Sequence, residues 1–68
     1  MINILNRTTE NVVTDTFTLD VDGRKVIYIE YLNGGKVIDC NLRDENGEEI
    51  YAPTMLEEIQ EFVEVIPA

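Results

Sequence analysis

Val13-Thr14-Asp15-Thr16-Phe17-Thr18-Leu19-Asp20-Val21-Asp22-Gly23-Arg24-Lys25-Val26-Ile27-Tyr28-Ile29-Glu30-Tyr31-Leu32 is the stretch that decides the fold class. Val13, Phe17, Leu19 and Val21 alternate with Thr14, Thr16, Thr18 and Asp20, the period of a half-buried strand. Asp22-Gly23 is a hairpin signal, because glycine tolerates positive φ. The run after it is rich in β-branched and aromatic residues, as strands are. A two-residue loop would set Asp15 against Glu30, a like-charge pair that costs energy. A three-residue loop with a glycine bulge sets Asp20 beside Arg24, Phe17 beside Ile27 and Val13 beside Tyr31, and this register is the one expected.

Downstream, Asn33-Gly34-Gly35 makes a second tight turn into a strand where Ile38, Cys40 and Leu42 share one face. Asp44-Glu45-Asn46-Gly47 is a third turn, with glycine in the left-handed position. The return strand places Glu49 beside Arg43 and Ile50 beside Leu42. Upstream, residues 1–5 are a candidate short edge strand and residues 7–11 read as a turn. The period changes after Pro53: Thr54-x-x-Glu57 has the form of a capping box. Met55, Leu56, Ile59, Phe62, Val63 and Ile66 then fall on one helical face, and Glu57, Glu58, Gln60, Glu61 and Glu64 on the other. Pro67 ends the segment and pushes Ile66 toward extended geometry.

The expected fold is α+β, one domain over residues 1–68. It is an antiparallel β-meander of four strands, five if the N-terminal segment joins, with one C-terminal amphipathic α-helix packed on one face. The strands are expected near 12–21, 24–32, 36–43 and 48–51 and the helix near 55–64. So short a helix is marginal alone and must dock on the sheet.

The totals narrow the function. The 68 residues are 44% hydrophobic, so a thin core is available and disorder is not indicated. Fourteen Asp and Glu against five Lys and Arg leave a net charge of −9. Direct nucleic-acid binding is therefore not expected, since it needs cations to displace condensed counterions. The lone Cys40 has no internal disulfide partner, and no apolar run is long enough for a signal sequence or a membrane span. A cytoplasmic setting without membrane contact is the expectation.

Catalytic chemistry finds little to work with. The sequence contains neither histidine nor serine, and so no ordinary general base near pH 7 and no Ser-His or Cys-His pair. Cys40 alternates with apolar residues and reads as a small buried hydrophobe. Neither Gly47 nor Gly23, placed sixth in a calcium loop, brings glutamate to position twelve. Asn33-Gly34-Gly35 lacks the Lys-Ser/Thr of a phosphate loop. No catalytic, metal or cofactor-binding residue is assigned, and an enzyme is not expected.

Two surfaces remain. Asp44, Glu45, Glu48 and Glu49 cluster on the third turn, and Glu57, Glu58, Glu61 and Glu64 line the helix with no Lys or Arg between them. Each like-charge pair on a helix costs ~0.2–0.5 kcal/mol, and a solvated helix face more often mixes its signs, although a run of acids is also the ordinary way to keep so small a protein soluble. Such a ribbon can imitate a phosphate backbone or enter an arginine-rich groove. The other surface arises because the second strand is apolar on both sides: Ile27, Ile29 and Tyr31 on one, and Val26, Tyr28 and Leu32 on the other. One helix covers one side only, and Tyr28 is taken as a contact residue of the remaining one.

The leading expectation is a small acidic inhibitor or regulator that binds a partner protein with a basic surface. The alternative is a structural or assembly subunit that forms a homodimer through an apolar sheet face. In size and charge the chain is similar to phage and mobile-element proteins that inhibit host enzymes, a likeness that rests on no motif.

Overall fold

The alternating pattern folds as a period-two sequence should: a computed structural model, which describes residues 1–11 and 13–65, contains four antiparallel strands in the order β1-β2-β3-β4. They are β1 (Ile2–Glu10), β2 (Thr14–Val21), β3 (Arg24–Asn33) and β4 (Lys36–Asp44), followed by the helix α1 (Pro53–Glu64). This is an α+β meander with one C-terminal helix. The expectations that involve Val12, Ile66 and Pro67 lie outside the described residues.

Burial alternates along β2 as the sequence requires. Phe17, Leu19 and Val21 are buried, and Thr16, Thr18 and Asp20 beside them are half-exposed. Val26 and Tyr28 of β3 and Leu42 of β4 share that inner face, and Ile59 of α1 seals it. Met55, Leu56, Phe62 and Val63 pack around the same core from the helix side. The 3.6-residue period of α1 and the 2-residue period of the sheet therefore meet in a single apolar layer.

Four details differ from the sequence expectation. The β2–β3 hairpin uses the two-residue loop: Val21 pairs with Arg24, Asp20 with Lys25, Phe17 with Tyr28 and Asp15 with Glu30. Asp22 and Gly23 both have positive φ, the type I′ conformation whose twist suits flanking strands. The Asp15–Glu30 repulsion that argued against this register is answered from a third strand. Arg7 of β1 donates Nε to Asp15 Oδ1 at 3.0 Å and Nη2 to Oδ2 at 2.7 Å. The Thr9 hydroxyl adds a contact at 3.2 Å, while Glu30 accepts from the Tyr28 hydroxyl.

This pairing also explains why residues 7–10 form strand and not turn. Arg7 stands opposite Phe17, with its guanidinium carbon 4.9 Å from the ring centroid, and Thr9 stands opposite Asp15. The chain reverses at Asn11, which has positive φ, as the Val13 amide donates to the Glu10 carbonyl.

The return after the third turn is shorter than a strand. Glu49 bridges Arg43, and the Ile50 amide donates to the Leu42 carbonyl, in the register expected, but pairing goes no further. The fourth strand of the sheet is thus supplied by the N-terminal segment. Finally, α1 begins at Pro53 with Ala52 as its N-cap, and no side chain caps it. Thr54 is already inside the first turn, because proline is well suited to the first helical position.

Candidate functional site

The third turn is built by its first acid. Asp44 Oδ1 accepts from the amides of Asn46 and Glu48, and its carbonyl accepts from the Gly47 amide. Arg43 donates Nη1 to the Gly47 carbonyl at 2.8 Å, which closes the loop from the other side. Asp44 therefore serves the turn itself, whereas Glu45, Glu48 and Glu49 stand exposed.

All four helix acids are exposed, but they do not form one ribbon. Glu57, Glu61 and Glu64 line a groove of about 330 Å³ between α1 and the sheet, together with Glu30, Gln60, Val37 and Tyr28. Glu58 is not among the lining residues and acts electrostatically on the amino group of Met1. Glu45, Glu48 and Glu49 are likewise absent from the lining of this groove.

Tyr28, expected on a docking surface, is 1% exposed and belongs to the core. The helix covers its side of β3, so its ring packs against Phe17 with centroids 6.1 Å apart. Its hydroxyl reaches the groove and donates to Glu30 Oε2 at 3.1 Å. Burial first, and then the Glu30 carboxylate, hold the phenol well above its ordinary pKa. Tyr28 is thus a neutral donor that positions Glu30.

Glu30 is the functional candidate that the sequence reading missed. Its signal was present: it shares the inward parity of Val26 and Tyr28, where a charge is out of place. Opposite it on β4 stands Cys40, half-buried, whose Sγ accepts from Gln60 Nε2 at 3.1 Å. Gln60 thereby ties the helix to the sheet along one wall of the groove.

Among the described residues, the ion pairs are Arg7–Asp15 and the Met1 amino group with Asp22. Glu30, Glu57, Glu61 and Glu64 have no cationic partner there. Nor are any three Cys, Asp or Glu side chains among the described residues grouped to hold a metal ion. No described helix is long and apolar enough to cross a membrane. The groove offers four carboxylates around an apolar wall, an arrangement suited to a guanidinium or ammonium group on a hydrocarbon stem.

No protein-family model matches the chain, and no curated protein or solved structure is significantly similar to it.

Proposed function

We propose that the protein is a non-catalytic inhibitor or regulator that binds a basic partner protein through the groove between α1 and the sheet. The observation that carries this reading is the convergence of Glu30, Glu57, Glu61 and Glu64 on one groove without a cation among the described residues. Repulsion between such acids opposes folding, so their placement needs a reason outside the isolated chain. A partner that ordinarily holds nucleic-acid phosphates with arginine and lysine has the matching chemistry. Occupying that surface would block it.

The test compares two variants of equal net charge, Glu57→Lys/Glu61→Lys/Glu64→Lys and Glu45→Lys/Glu48→Lys/Glu49→Lys. Each is titrated with a short arginine-rich peptide at physiological salt. Three lost contacts at up to ~1 kcal/mol each predict weakening of about 100-fold for the groove variant. The turn variant should weaken by less than about 10-fold, through the general field alone. Equal weakening in both would mean that net charge, and not the groove, attracts the peptide.

A further inference from the structure

Among the described residues, none packs over the sheet face opposite α1. On β3 it carries Ile27, Ile29 and Tyr31, all half-buried, and on β2 it carries Thr14, Thr16 and Thr18. Across to β4 the rungs are Ile27–Arg43, Ile29–Asn41 and Tyr31–Asp39. The geometry points to a second copy of this chain as the occupant of that face. The two sheets would pack face to face about a two-fold axis that crosses the strands at the Ile29–Asn41 rung.

Two observations select a second copy over another partner. The first is the order of the rungs. The axis lays each strand over its own counterpart, running the opposite way, and exchanges the rungs on either side of the centre. Ile27 then faces Tyr31 of the second copy, Arg43 faces its Asp39, and Thr18 faces its Thr14. Apolar meets apolar and cation meets anion, twice in each dimer, as an isologous contact requires. Sheets packed face to face cross at about 30°, which displaces the rungs nearest the axis least.

The second observation is charge. Lys25, Lys36 and Arg43 lie on this face and offset most of Asp20, Asp39, Glu10 and Glu49, although the chain as a whole carries −9. The groove acids stand on the other side of the sheet, the side that α1 covers. Arg43 gives one N–H to the Gly47 carbonyl and keeps others free. Four strands of this length span on the order of 600 Å² per copy, the small end of a stable interface. The groove beside α1 remains open in such a dimer.

Sedimentation equilibrium of the full chain tests the proposal, with far-UV circular dichroism to confirm that each variant folds. The wild type should sediment at twice the protomer mass. Ile29→Glu should raise the dimer dissociation constant by about 100-fold or more, and Thr16→Glu on the same rung serves if that variant does not fold. Asp39→Arg should weaken the dimer about 10-fold, and the double exchange Asp39→Arg/Arg43→Asp should restore most of it. A monomer at every concentration up to about 1 mM overturns the proposal. So does a dimer indifferent to both Ile29→Glu and Thr16→Glu, or a double exchange no tighter than Asp39→Arg alone.

Discussion

Asp15 is 6% exposed, and its carboxylate survives there because Arg7 closes on it from β1. That hydrogen bond, the largest influence, holds the Asp15 pKa below its ordinary value against the opposing effect of burial. A carboxylate whose folded pKa is depressed adds stability that is present above the unfolded value. The contribution is lost as pH falls from about 4 through the lower folded value. Asp15→Asn should therefore cost roughly 1–3 kcal/mol at pH 7, a range kept modest because the Arg7 side chain is 35% exposed. Urea midpoints should show this gap narrowing below about pH 4. A gap that stays constant down to about pH 2 would show that Asp15 acts through packing, not charge. Arg7 also explains why β1 was hard to read. Asn6-Arg7-Thr8-Thr9-Glu10 has no apolar alternation, since its inward positions are filled by a cation and a hydroxyl that serve residues on the next strand.

At the scale of the element, α1 is stabilised by its inner face and weakened at its start. Ile59, with Met55, Leu56, Phe62 and Val63, docks on the core, but Ala52 at the N-cap leaves the first amides without a side-chain acceptor. Ala52→Ser or Ala52→Asp should stabilise the protein by about 1 kcal/mol, read as a rise in thermal midpoint. Thr54→Ala should change it by less than about 0.5 kcal/mol, because a residue inside the helix caps nothing. The reverse ranking would restore the capping box to Thr54. The sequence signal failed here for a physical reason: Pro53 favours the first helical position and moves the start one residue upstream of the threonine. The third turn was legible because Asp44, Asn46 and Gly47 each meet a local demand, and its return paired Glu49 with Arg43 as expected. The extent of that return was not legible, since nothing local says where pairing stops.

Across the whole molecule, two faces divide the work. The helix side gathers Glu30, Glu57, Glu61 and Glu64 around one groove, and the open sheet side carries a nearly neutral stripe centred on Ile29. Periodicity along the chain marked the meander, the helix and the acid-bearing face. It could not give the hairpin register, which depends on an Arg7–Asp15 contact between strands, nor the burial of Tyr28, which depends on the side α1 selects. Glu30 joined the site only through tertiary placement, although its inward parity marked it. The most direct test of the groove as the binding surface is an amide chemical-shift map of the protein titrated with the arginine-rich peptide. The shifts should concentrate at Glu30, Val37, Glu57, Gln60, Glu61 and Glu64, and shifts centred on residues 44–49, or spread evenly over the acids, would contradict the account.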